Sequence, residues 1–320
     1  LQWALWLLLP ILISGDTITA ISIFSGMLGG LAVLIWWLFL SRMPLLYRWV
    51  GFLVMCLSIF VLTRLADPSI TTAYQGMMIY SYVIPTLSLG VVAWAIVAQK
   101  LNSVYRWLSM IAAILVSTGV WTLFRSEGIT GSGEAELAWR WSQSIEERFI
   151  AGETGQQFSN FPAAGDAGGS LLWPGFRGAN RNAVVHGMEI ETDWDKNPPQ
   201  ELWRGPVGPG CSSFAVKGDL IFTQEQRGAN EAVTCYRLST GKPVWVYAYE
   251  ARFWDSHAGA GPRSTPTLDT SRVYTLGATG IFSVLDISDG HLIWSRDAAS
   301  DTEAEQQGWG FVGSPLLVDD

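Results

Sequence analysis

The chain has 320 residues, 49% of them hydrophobic and 15% charged, with 17 tryptophans and a net charge of −8. Residues 1–124 carry only Asp16 and Asp67 against Arg42, Arg48, Arg64, Lys100 and Arg106, a net of +3, whereas the rest of the chain is acidic at −11. An acidic second half argues against nucleic acid as a partner, because phosphate binding needs a basic footprint.

Apolar runs cover 1–13, 19–40, 46–65, 79–98 and 105–124, and the last four approach the ~20 residues that cross a hydrocarbon core. The first is short and the sequence starts at Leu1, so it reads as the remainder of a fifth span. About five transmembrane helices in a lipid bilayer are therefore expected over 1–125. The 41–48 loop holds Arg42 and Arg48, and the 99–106 loop holds Lys100 and Arg106, while loops 14–18 and 66–78 hold no Lys or Arg. Basic loops stay cytoplasmic. That places everything after residue 125 outside, in the periplasm of a bacterium whose inner membrane holds the helices.

Residues 126–133 read as a flexible exit. Glu134–Ala151 follows as an amphipathic helix with Leu137, Trp141, Ile145 and Phe149 on one face, and 152–170 reads as a Gly/Ala/Ser-rich linker. Residues 126–172 thus join the membrane domain to a β region at 173–320. There, Tyr236-Arg-Leu-Ser-Thr-Gly241-Lys-Pro-Val-Trp245 recurs 49 residues later as Leu285-Asp-Ile-Ser-Asp-Gly290-His-Leu-Ile-Trp294. A repeat of that length built from short β-rich runs predicts four-stranded propeller blades. Strands A to D of the first blade fall at 213–217, 220–224, 232–238 and 243–249, with a B–C loop at Glu225–Glu231. Those of the second fall at 265–268, 272–276, 281–287 and 292–296. A third strand A starts at Ser314, and Glu201–Arg204 reads as a lone strand D around Trp203. The expectation is a fragment of a ring: one closing strand, two blades and the start of a third. Trp203, Trp245 and Trp294, with Gly241 and Gly290, are docking residues, each tryptophan packing over the next blade with its N–H bonded to backbone. A disulfide between Cys211 and Cys235 is permitted by the compartment but not fixed by the sequence.

These Ser-x-Gly…Trp units resemble the tryptophan-docking repeats of pyrroloquinoline quinone (PQQ)-like β-propellers. Trp139-Arg-Trp-Ser142, Trp173-Pro-Gly-Phe-Arg-Gly-Ala-Asn180, Gly261-Pro-Arg-Ser-Thr-Pro-Thr267, Leu276-Gly-Ala-Thr-Gly280 and Trp309-Gly-Phe-Val-Gly-Ser-Pro315 are similar to bacterial membrane-anchored repeat proteins of that superfamily. The resemblance implies an all-β propeller of seven or eight blades when complete, eight by preference. It implies either a binding or scaffold module or a quinoprotein dehydrogenase holding PQQ with Ca²⁺ and passing electrons to membrane quinone. The adjacent-cysteine pair common in the enzymes is absent here.

Antiparallel alternation puts the B–C and D–A loops on one rim. Glu225 and Arg227 share that rim with Arg252, Asp255, His257 and Arg263, and the second D–A loop adds Glu303, Glu305 and Trp309. Propeller ligands bind near the axis at such a rim. Glu225, Arg227, Asp255, His257, Arg263 and Trp309 are therefore the candidate residues for a small-molecule ligand or a periplasmic protein. Asp255 and His257, two apart, suit an acid–base pair without a visible third member. The plain structural reading of the same residues is solvated loop groups and salt bridges between blades.

Overall fold

The computed structural model describes residues 2–8, 16–130, 134–153, 171–187 and 189–318. The chain divides into two compact units, Leu1–Ser142 and Gln143–Asp320.

The first unit is helical: α1 (Gln2–Leu7), α2 (Asp16–Ile35), α3 (Leu45–Leu65), α4 (Pro68–Thr71), α5 (Met78–Val97) and α6 (Ser103–Gly119). Among the described residues, four helices are long and apolar enough to cross a membrane, at Thr17–Leu40, Leu45–Leu65, Met78–Lys100 and Ser103–Leu123. The expected five are therefore corrected to four. The first apolar run contributes only the six residues of α1, about 9 Å of helix, and its residues 1 and 9–13 lie outside the described residues. The short helix is nonetheless seated in the bundle. The Trp3 indole donates to Ser88 Oγ at 3.3 Å, midway along α5, and Ser22 of α2 donates to the Trp6 carbonyl at 2.8 Å. Small residues let the spans approach: a Cβ at Gly30 would stand 2.3 Å from Ile84, the close contact that holds helices together where no hydrophobic drive exists.

The basic loop residues also cap helix ends. Arg48 donates to the carbonyls of Met43, Leu38 and Ser41, and Arg106 to those of Ala98, Gln99 and Leu101. Cations suit a helix C-terminus, where carbonyls lack partners. After α6 the chain forms a hairpin, β1 (Phe124–Ile129) with β2 (Ala135–Trp139), in the register Phe124↔Trp139. The flexible exit and the long amphipathic helix are both corrected by it. The Phe124, Trp139 and Trp141 rings stack in sequence at 4.5 and 5.0 Å, and this cross-strand contact outweighs helical spacing.

The second unit opens with helix α7 (Ile145–Glu153). Ser144 Oγ accepts from the Glu147 N–H at 3.0 Å while Glu147 accepts from the Ser144 N–H at 2.7 Å, a reciprocal capping box that fixes where the helix starts. Residues 154–170 of the expected linker lie outside the described residues. One five-stranded sheet has the order β3 (Leu171–Trp173), β4 (Ala215–Lys217), β5 (Leu220–Arg227), β6 (Asn230–Arg237) and β7 (Pro243–Glu250). A small hairpin, β8 (Trp254–Asp255) with β9 (Gly259–Ala260), precedes a four-stranded sheet, β10 (Thr267–Leu268), β11 (Arg272–Leu276), β12 (Ile281–Asp286) and β13 (Leu292–Asp297). Every pairing is antiparallel. The short helix α8 (Ala298–Thr302) follows. Phe222, Val233 and Trp245 of the first sheet share one core with Leu268, Val273 and Leu285 of the second.

The strands lie where the repeat puts them, with three exceptions, one being that residues 314–318 form no strand where a third strand A is expected. β5 and β6 are longer than expected, so Glu225–Glu231 is not a loop but mostly strand, turned at Gly228 with φ +60°. Residues 201–204 form no strand, yet Trp203 still docks. Its indole donates to the Leu238 carbonyl at 2.7 Å with its ring against Gly241, as Trp245 donates to Ile287 at 3.1 Å with its ring against Gly290. Trp294 is 44% exposed and stacks on Phe282. No closed propeller forms among the described residues; the sheets are two successive repeats.

Two further devices join the repeats. Ser213 N–H donates to Thr265 Oγ1 at 3.1 Å, and Thr265 N–H to Ser314 Oγ at 2.9 Å, so hydroxyls link three successive strand-A positions. A strap at 171–182 crosses the same three. β3 pairs with β4, the Pro174 carbonyl accepts from Leu268 N–H at 2.7 Å, and Arg181 donates to the carbonyls of Ser314 and Pro315 at 3.1 and 2.6 Å.

Candidate functional site

The six candidate residues fall into two clusters on one rim. Glu225, at the end of β5, is fully buried. Its carboxylate accepts from the Gly208 N–H at 2.6 Å, Arg227 at 2.5 and 2.9 Å, the Thr234 hydroxyl, and Tyr236 at 3.1 Å. Arg227 in turn lies over the Phe149 ring of α7 at 5.4 Å. A charge this deep is tolerated only when every lone pair has a donor, and here each has one. Alongside, Glu146 of α7 takes a two-pronged bond from Arg252 at 2.8 and 2.9 Å and accepts from the Gly228 N–H at 3.1 Å. The first cluster is therefore a buried ion pair roofed by a helix.

The second cluster is built on the β8–β9 hairpin. Asp255 accepts from the backbone N–H groups of His257 at 2.7 Å and Ala258 at 2.9 Å, and from Arg263 at 2.6 Å. Burial alone would raise this carboxyl, but the two N–H donors and the Arg263 guanidinium outweigh it and hold it below the usual carboxylate range. Arg263 also donates to the Gly259 carbonyl at 2.7 Å and covers the Phe253 ring at 5.1 Å. The His257 ring stands 3.9 Å from Asp255 and packs on Trp309, centroids 4.8 Å apart. With Asp255 committed to Arg263 and backbone, the two-residue spacing yields an Asx turn, not an acid–base pair. His257 is part-exposed, its side chain by 28%, and Trp309 is open to solvent by 56%. Between the clusters runs Gly208–Cys211, seated by Gln226 N–H on the Pro209 carbonyl at 2.7 Å and Cys211 N–H on the Pro262 carbonyl at 2.9 Å. Gly261, at φ +102°, is required there, because a Cβ would stand 2.2 Å from the Pro209 carbonyl oxygen.

One acid was missed by reading Glu225–Glu231 as a loop. Glu231 of β6 is 1% exposed and bridges the repeats, accepting from Tyr249 at 2.7 Å and from the Ala278 N–H of the second repeat at 3.1 Å. Burial pushes its carboxyl up, against the pull of Tyr249, Ala278 and the Arg263 charge. The sequence signal was Gly277, whose missing Cβ would otherwise fall 2.2 Å from the Glu231 carboxylate. Cys211 is exposed and Cys235 buried, and both are free thiols.

The Ca²⁺–quinone pair implied by the resemblance needs convergent oxygen ligands with lone pairs to spare. Among the described residues no three His, Cys, Asp or Glu side chains converge, and the buried acids of this rim are already engaged. These residues do not fit that group.

Residues 164–317 match a family model described as outer membrane protein assembly factor BamB. Among solved structures, the crystal structure of BamB from Moraxella catarrhalis is 22% identical, with a TM-score of 0.23, over 30% of this chain and 26% of that one. A computationally designed protein, Ika8, is 14% identical, with a TM-score of 0.18, over 34% of this chain and 40% of that one. The chain thus spans well under half the length of either. No curated protein matches it. The repeated strand register and the tryptophan docking fall within the stretch that this family model matches.

Proposed function

We propose that the protein is a membrane-anchored binding or scaffold module, whose helices tether a PQQ-like β-propeller region on the periplasmic side of a bacterial inner membrane. The observation that carries this reading is the state of the rim. Glu225 with Arg227 and Asp255 with Arg263 neutralise one another, and beside them Trp254 and Trp309 are exposed, with His257 part-exposed and Glu303 and Glu305 exposed on the Trp309 loop. Exposed tryptophan beside buried, mutually satisfied charge is the composition of a recognition surface, whereas general acid–base or metal chemistry needs a group held in reserve. The family description, outer membrane protein assembly factor BamB, favours a protein partner over a small molecule.

A photo-crosslinking residue placed at Trp309, in the membranes of the producing cell, is expected to yield one discrete protein adduct. The same residue at Lys242, on the opposite C–D turn, is expected to yield none. Equal labelling from both positions, or none from either, defeats the reading. Dye reduction with alcohols or sugars after loading with PQQ and Ca²⁺ would replace it with the dehydrogenase.

A further inference from the structure

Within the helical unit, the first turns of α2 and α5 and the start of β2 enclose a cavity of about 300 Å³. Trp6, Tyr74, Tyr82 and Trp121 line it, with Thr19 and Glu134 also on its wall. The rings support one another. Trp6 meets Tyr82 edge-on at 6.4 Å, Tyr82 lies 4.7 Å from Trp121, and the Trp121 indole is fixed by a 3.0 Å bond to Thr86. Tyr74 reaches the wall through a left-handed turn in which it and Gln75 have φ values of +51° and +56°. Residues without glycine's freedom are strained in that region, and strain of this kind concentrates at ligand sites. The Glu134 side chain accepts a single bond, from Thr19 at 3.4 Å, and forms no ion pair among the described residues.

A carboxylate drawn partly out of water with one weak donor lacks a counter-charge. Four aromatic walls around it supply the negative ring faces that attract a cation. An anionic ligand would meet Glu134 head on, and a neutral one would leave it unmatched. One carboxylate is too few for a bare Ca²⁺ or Mg²⁺. We propose that this cavity binds an organic ammonium group, carried by a phospholipid headgroup or by a free amine. The site lies wholly within the helical unit and its β1–β2 hairpin.

The test uses the full chain in lipid nanodiscs. With phosphatidylglycerol alone, tetramethylammonium or ethanolamine is titrated calorimetrically. From mixed membranes, retained phosphatidylethanolamine and phosphatidylglycerol are compared by mass spectrometry. Saturable binding of a free probe identifies an amine, and enrichment of phosphatidylethanolamine identifies a headgroup. In either case Glu134→Gln should weaken the interaction about tenfold and Tyr74→Ala severalfold. Glu136→Gln, an exposed neighbour outside the lining, should leave it unchanged, with all variants melting alike. The proposal is overturned if no probe binds and neither lipid is enriched, or if Glu134→Gln behaves as the parent protein in both assays.

Discussion

Replacing one hydrogen of Gly290 by a methyl group would put carbon 2.5 Å from the Trp245 ring, at a φ of +73° that already disfavours any side chain. Gly290→Ala should therefore lower stability by about 1–3 kcal/mol from strain and overpacking, read as a reduced urea midpoint of the β unit. An unchanged midpoint would mean the ring does not rest on that turn. Two buried acids, Asp255 and Glu231, should respond to pH with opposite signs. The folded Asp255 carboxyl is held below its ordinary value, so its contribution is present above about pH 4 and lost as pH falls through the folded value. Asp255→Asn is expected to be less stable than the parent at pH 7, with the gap closing in acid. The Glu231 carboxyl is raised, so the fold favours its protonated form and loses that contribution as pH rises from about 4.3 through the raised value. Glu231→Gln should then gain on the parent between pH 4 and 8. Urea midpoints across pH decide both, and parallel profiles for the two variants would refute the assignment.

Among the elements, those repeated in the sequence were the legible ones. The Ser-Thr-Gly241 and Ser-Asp-Gly290 turns announce β6–β7 and β12–β13, because a tight hairpin needs positive φ where glycine stands. The β5–β6 hairpin was misread because Glu225, Arg227 and Glu231 look solvated in sequence. In the fold each acid finds its partner two residues along or across the sheet, and only Gly228 hinted at the turn. The candidate rim residues could be gathered by strand alternation, but sequence carries no sign that Arg227 and Arg263 would consume their acids. At α7 the Ser144-Ile-Glu-Glu147 box was readable, and it explains why the helix starts there instead of at Glu134. Ser144→Ala should cost about 1 kcal/mol and raise amide exchange over 145–150. Arg252→Ala, which frees Glu146, should add to that exchange; protection unchanged in both variants would show that α7 is held by other contacts.

For the whole molecule, the Lys and Arg of the 41–48 and 99–106 loops, set against none in 14–18 and 66–78, are the basis of the proposed orientation. A reporter fused after residue 130 tests it. Alkaline phosphatase is expected to be active there and a cytoplasm-only fluorophore dark, and the reverse pattern would invert the proposed topology. Four spans in place of five leave this side unchanged, since each loop keeps its place in the alternation. The strap at 171–182 has a consequence of timing. Arg181 needs carbonyl partners 133 and 134 residues further along. At synthesis rates of about 5–20 residues per second, that interval is roughly 7–27 s. Until it has passed, an early segment waits with its arginine unsatisfied and its left-handed turns unsupported. The β unit therefore cannot mature blade by blade as the chain emerges. An early-made piece locks only once the third repeat has begun to emerge, and the nascent protein must be kept from aggregating for as long as that takes.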